Sequence, residues 1–145
     1  MSAVSYELDG RVGILTLNRP DSLNAVNPDM VAGLLAASAR VADDPAARAV
    51  VVRGAGKSFM AGGDLRWFRE QLALPVAERQ SGFAELIAGV HAAIANFKRM
   101  DKPLIAAVHG AVAGFGRLVS RAGSSRRAAE QGLDPREQEE IGRAH

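Results

Sequence analysis

Apolar positions along the chain fall into short strand-like runs and helical stripes. In residues 4–17, Val12, Ile14 and Leu15-Thr16-Leu17 favour strand, and Asp9-Gly10 stands between two such runs as a hairpin signal. Asn18-Arg19-Pro20-Asp21-Ser22 reads as a loop, because Pro and Asx residues dominate turns. Asn27-Pro28 then opens a helix, with Asn as N-cap, Pro in the first turn and Asp29 near the positive end of the dipole. Met30, Leu34, Leu35 and Val41 keep helical spacing up to Asp43-Asp44-Pro45. The continuous run Ala49-Val50-Val51-Val52, closed by Gly54 and Gly56, predicts a strand buried on both faces, as in a parallel sheet. A helix follows over residues 83–97, with Leu86, Ile87, Val90, Ile94 and Phe97 on one stripe. Asp101-Lys102-Pro103 breaks it, and Leu104-Ile105-Ala106-Ala107-Val108 gives a second short buried strand. Strands alternating with helices define an α/β fold with crossover connections. No internal repeat interrupts the order.

The last stretch, 117–145, departs from this patterning. It has no aromatic residue, its apolar positions are scattered, and Arg117, Arg121, Arg126 and Arg127 occur without an intervening acid. Asp134 with Glu137 could cap a short polar helix there, marginal for want of an apolar face.

Composition narrows the class. A chain of 145 residues is one domain or part of a larger one. With 48% hydrophobic and 23% charged residues it is not wholly disordered. The absence of cysteine excludes disulfides, thiolate metal sites and a Cys nucleophile. A net charge of +2 does not make a nucleic-acid binder, since phosphate recognition needs a clustered basic face. No apolar run approaches a membrane span, and the N-terminus lacks the basic start and apolar core of a secretory signal. The expectation is a soluble, cytoplasmic protein with neither nucleic-acid nor membrane partner.

Two glycine-containing turns each follow a predicted buried strand, where ligand crevices form in open α/β sheets: Gly54 to Gly63 leading into Asp64-Leu65, and His109-Gly110-Ala111-Val112-Ala113-Gly114-Phe115-Gly116. Small residues there let backbone N–H groups approach a ligand, and two converging on one oxygen make an oxyanion hole. On spacing alone, tight turns without a ligand are an equal reading. His91 in the apolar helix reads as structural, His109 as a hydrogen-bonding partner of the turn, and His145 as terminal. The three have no metal-ligand spacing with Asp or Glu, and no metal is assigned. Ser58 has no base supplied by any motif. Trp67 and Phe68 read as packing residues or equally as one wall of a pocket, and Glu70, Glu78 and Glu85 as solvated helix charges.

Three segments change the odds. Asn18-Arg19-Pro20-Asp21-Ser22-Leu23-Asn24-Ala25, Lys57-Ser58-Phe59-Met60-Ala61-Gly62-Gly63-Asp64-Leu65 and Lys102-Pro103 through Gly116 resemble the signature segments of the enoyl-CoA hydratase/isomerase (crotonase) family, in its order and spacing, over residues 1 to about 116. The resemblance implies an α/β fold that is the N-terminal half of a crotonase-like ββα spiral. It implies an acyl-CoA thioester as ligand, with coenzyme A part of the substrate and no separate cofactor. Carried over residue by residue, it makes the N–H groups of Gly63 and Phe115 the oxyanion donors that stabilise a thioester enolate. Asp21, Ser22, Leu23 and Ala25 would line the coenzyme A path. Ala61, Gly62, Asp64, Leu65 and Gly114 would also bind the substrate, Asp64, Leu65 and Arg66 would start a helix flanking the acyl pocket, and residues 67–81 would form a mobile cover.

The departures are equally specific. Leu118 stands where hydratases of the family carry a catalytic glutamate, and no counterpart of the second glutamate is found. The family's trimers or hexamers rest on a C-terminal region for which this sequence shows no match. The expected division is therefore an acyl-CoA-binding part, 1–116, and a non-family tail, 117–145, irregular or a short helix, of the kind that translation out of frame or a truncated gene produces. The expected function is an acyl-CoA enzyme of hydratase or isomerase chemistry, impaired for want of its acid–base pair. The alternative is a non-catalytic remnant that binds acyl-CoA or a sister subunit.

Overall fold

A computed structural model describes residues 2–114, 116 and 117 of the 145. Strand β1 (Val4–Asp9) and strand β2 (Val12–Leu17) form an antiparallel hairpin in which Asp9 faces Val12. Its two-residue turn places Gly10 first, at φ 58°, a conformation that the twist of a tight hairpin requires and glycine takes without steric cost. Helix α1 (Pro28–Asp43) follows, and the Asn27 side chain accepts the Met30 N–H at 2.9 Å, as the sequence predicts. Strand β3 (Ala49–Gly54) then pairs parallel with β2. Helix α2 (Leu65–Leu72) and helix α3 (Val76–Arg99) lead to strand β4 (Leu104–Ala107), parallel to β3. The sheet order is β1-β2-β3-β4.

Register sorts the side chains. Leu15, Val52 and Ala106 lie side by side and are buried, as are Val50 and Leu104, beneath α1 and α3. Their neighbours on the other face, Ile14, Val51 and Ile105, form a second row that is only partly buried. The strands are thus not buried on both faces as their continuous apolar runs predict. Burial alternates residue by residue, and no helix among the described residues packs against the second face. That face carries the Arg53–Glu7 ion pair, 3.0 Å, and the Arg53 Nε–Thr16 Oγ1 bond, also 3.0 Å.

Helix α3 is longer than its apolar stripe. Residues 76–82 carry no apolar stripe, Val76 being exposed and 78–82 lacking any large apolar residue, so periodicity gives them no signal, yet they are helical. The buried positions are Leu86, Ala93 and Phe97, while Ile87 is half exposed and His91 exposed. Trp67, Phe68 and Phe83 meet edge to face, with ring centroids 5.2–5.7 Å apart, and join α2 to α3. Lys102 donates to the carbonyls of Val41 and Asp44, both at 2.6 Å, and so closes the C-terminal end of α1. No described helix is long and apolar enough to cross a membrane. The polar helix opened by Asp134, and the rest of 118–145, lie outside the described residues.

Candidate functional site

Past the ends of β2, β3 and β4, three irregular strips run side by side. The middle strip, residues 58–64, is bonded on one flank to the loop 18–26. Ala61 N–H donates to Leu23 O (3.0 Å), Val26 N–H to Gly62 O (2.7 Å), and Asp64 N–H to Val26 O (2.9 Å). On its other flank, Phe59 N–H donates to His109 O (2.8 Å) and Ala113 N–H to Met60 O (3.0 Å). Both glycine turns found in the sequence are therefore adjacent strips of one small assembly. His109 serves that assembly structurally, its Nε2 lying 2.8 Å from Gly56 O.

The loop is shaped from within by Asn24. This residue is fully buried and adopts a left-handed backbone, φ 55°. Its Oδ1 accepts the Arg19 N–H at 2.8 Å, and its Nδ2 donates to Ala55 O (2.9 Å) and Ser58 O (2.8 Å). One side chain thus holds the loop closed and pegs it to the middle strip. Arg19 adds a second tie: Nη1 donates to Ala25 O at 2.6 Å and Nη2 to Asp64 Oδ2 at 2.8 Å.

Asp64 ends the middle strip and starts α2. Its Oδ1 accepts the N–H groups of Arg66 and Trp67, an N-cap. Burial pushes its carboxyl up, but the bonds from Arg19 and from the two helix amides, with the Arg19 charge, outweigh burial and hold it below the usual carboxylate value.

Between loop and strip lies a cavity of about 260 Å³, lined by Asp21, Ser22, Leu23, Ala25, Ala61, Gly63, Asp64, Leu65 and Arg66. Leu23 and Leu65 stand exposed on its walls. Of the residues singled out in the sequence, Gly62 and Gly114 do not line it. They pack together instead, a Cβ on Gly114 falling 3.6 Å from the Gly62 Cα. Phe115 lies outside the described residues. The stretch 67–81, expected as a mobile cover, is mostly helical and also does not line the cavity.

The orientation of Gly63 follows from its neighbours. The Gly62 carbonyl and the Gly63 N–H belong to one trans peptide, so they point in opposite directions. Because the carbonyl is spent on Val26, the Gly63 N–H points away from the loop. It has no hydrogen-bond partner among the described residues. Gly63 must be small for another reason: a Cβ there would sit 2.3 Å from the Phe68 ring. Sequence reading placed Arg66 beside the site but missed Arg19, and gave Asn24 no role beyond its place in the 21–25 loop. Arg19 and Asn24 lie inside the first motif, but their partners are 45 and 34 residues distant, respectively, and spacing does not reveal such pairs.

A sheet with crossover helices ending in glycine-rich strips, one of which carries an unpaired amide on its flank away from the loop, matches solved structures of the crotonase fold. The family model for enoyl-CoA hydratase/isomerase matches residues 12–133, and the chain belongs to that family. A probable enoyl-CoA hydratase of Mycobacterium tuberculosis is 50% identical over 62 residues, which are 43% of this chain and 24% of that protein. A probable 3-hydroxyisobutyryl-CoA hydrolase of Arabidopsis thaliana is 44% identical over 64 residues, 44% of this chain and 17% of its own. The crystal structure of an enoyl-CoA hydratase from Mycobacterium smegmatis superposes with a TM-score of 0.73 at 34% identity, covering 84% of this chain and 46% of that one. The aligned part of this chain thus spans about a quarter or less of these curated relatives and about half of the solved structure.

Proposed function

We propose that the chain binds an acyl-CoA whose pantetheine arm follows the groove between residues 21–25 and 61–66, and whose thioester carbonyl reaches past the strip to be polarised by the Gly63 N–H, joined by the N–H of Phe115. The observation that carries this reading is the unpartnered Gly63 amide, which faces away from the loop on a strip whose other flank forms one side of a groove with leucine walls. Leu23 and Leu65 suit the methylene-rich part of a pantetheine arm. Arg66, exposed at the rim, supplies positive charge toward an anionic nucleotide end. Each N–H gains strength as negative charge moves onto the carbonyl oxygen, so the pair favours the enolate over the ground-state thioester. Losing one such donor typically costs about 10²–10³ in rate.

Hydration needs more than polarisation. A base must activate water and an acid must protonate the α-carbon, each a contribution of about 10²–10⁴. The groove has two carboxylates among the described residues. Asp64 is ionised and has both oxygens engaged, and Asp21 is exposed to solvent. Neither is a placed, protonated acid, and position 118 is leucine. The reading is accordingly a thioester-binding, enolate-stabilising member of its family with impaired hydration. The spent state of Asp64 favours a second reading, acyl-CoA binding without turnover. Crotonyl-CoA separates them. Loss of enoyl absorbance well above the uncatalysed rate supports impaired catalysis, and thermal stabilisation by crotonyl-CoA without turnover supports binding alone. Neither stabilisation nor turnover would refute both.

A further inference from the structure

We propose that Arg19 is a positioning residue, a guanidinium staple that sets the direction of the Gly63 amide. The geometry is specific. Val26 on the loop and Gly63 on the middle strip form an isolated parallel bridge. Arg19 grips the residue before the first, through Ala25 O at 2.6 Å, and the residue after the second, through Asp64 Oδ2 at 2.8 Å. One planar group thus clamps both strips across the bridge itself. The bridge in turn fixes the peptide between Gly62 and Gly63, because the Gly62 carbonyl is held by the Val26 N–H at 2.7 Å. Rotating that peptide to swing the Gly63 N–H away would break the Val26 bond.

The chemistry calls for arginine. Two acceptors on two separate strips must be met at once from a fixed fork, one a neutral carbonyl and one a carboxylate. Lysine carries the same charge as a single flexible point and does not reproduce that fork. The ion pair is also sheltered, with side-chain exposures of 20% for Arg19 and 9% for Asp64, so it is less screened than a surface pair. In so far as it concerns a ligand, the inference rests on the acyl-CoA reading above. The staple itself does not.

The test has two arms on the full chain. In the first, amide hydrogen exchange is followed without ligand in wild type and R19K. The expected result is that protection of the Val26 and Asp64 amides falls by about tenfold or more, while Phe59, bonded on the opposite flank to His109 O, is unchanged. Unchanged protection at Val26 and Asp64 overturns the staple, as does an equal fall at Phe59, which would mean general loosening. In the second arm, infrared spectra of bound crotonyl-CoA, ¹³C-labelled at the thioester carbonyl, report polarisation directly. Wild type should lower the carbonyl frequency, and R19K should bind with a smaller shift. An undiminished shift in R19K overturns the positioning role. No shift in wild type overturns the thioester reading, and the exchange arm still decides the staple. If R19K does not fold, D64N replaces it, since asparagine retains the α2 N-cap while removing the charge that Arg19 meets.

Discussion

Replacing Asn24 by alanine tests the framework of the groove most directly. The side chain is inaccessible to solvent and makes three hydrogen bonds, to the Arg19 amide and the carbonyls of Ala55 and Ser58. A typical protein hydrogen bond contributes about 0.5–1.5 kcal/mol net, so the three together amount to about 2–4 kcal/mol. Alanine must also hold the left-handed backbone of position 24, at a cost of about 1 kcal/mol that asparagine partly escapes by its tolerance of that region. N24A should therefore lose about 3–5 kcal/mol, a large share of the 5–15 kcal/mol typical of a whole domain. Glycine loses the same three bonds but takes the left-handed backbone freely, so N24G should be no less stable than N24A despite its larger chain entropy. Aspartate keeps the acceptor but turns an anionic oxygen toward two carbonyls. The deficit of N24D relative to wild type should then narrow as pH falls toward about 4, where a carboxyl regains its proton. Urea denaturation with a shared slope measures all three. An N24A deficit below about 1 kcal/mol, or an N24G markedly weaker than N24A, would refute the account of Asn24 as the peg of this loop.

Other outcomes follow from single contacts. Gly63→Ala should cost about 1–3 kcal/mol, because the new methyl meets the Phe68 ring at 2.3 Å, and Phe68→Leu in the same chain should return part of it; additive melting shifts would contradict that clash. Lys102→Met should cost about 2–3 kcal/mol by freeing the Val41 and Asp44 carbonyls at the end of α1, read as a lower urea midpoint. The Tyr6 hydroxyl donates to Asp44 Oδ2. The Tyr6 bond and the Ala46 amide hold the Asp44 carboxyl below its usual value, so its stabilisation is present above the unfolded carboxyl pKa and is lost as pH falls through the lower native one. Burial, with the Asp44 bond and charge, holds the Tyr6 hydroxyl above its usual value. Its stabilisation is present below about pH 10 and is lost as pH rises through the folded value. Y6F should flatten the alkaline limb of the stability profile and weaken the acid one, and a profile identical to wild type at both ends would remove this pair from the account.

What the sequence reveals and what it hides divide by range. The Asp9-Gly10 turn, the Asn27 cap with Pro28, and the strands of β3 and β4 are local signals, each carried by residues within a few positions of one another, and the structure has them where the sequence places them. Residues 76–82 escape because a helix with no apolar stripe shows no periodicity, although its continuation into 83–99 carries it. Burial on both faces of β3 fails for a different reason. Val51 and Val50 have the same composition signal, and only the layer packed above the sheet decides which of them is covered. One side of the groove is legible as a glycine turn, because small residues beside strand ends have local meaning, and the second turn packs behind that strip. Its staples are not, because a guanidinium 45 residues from its carboxylate leaves no trace in spacing.

The same bonds that hold the groove also limit its chemistry. Proton transfer at neutral pH needs a carboxyl whose charged and neutral forms are close in energy, which means burial without a countercharge. Asp64 has burial, yet its two oxygens meet a guanidinium and two helix amides, all of which favour the charged form. Freeing it to serve as an acid would require removing Arg19, and the bridge across Val26 and Gly63 would then lose its clamp. In this arrangement the carboxylate nearest the oriented amide acts as scaffold, and a proton source must come from a different element. D64N therefore should leave any measured pH dependence of crotonyl-CoA turnover unmoved in its pKa while lowering its amplitude. A displaced pKa would show that Asp64 takes part in the proton transfer after all.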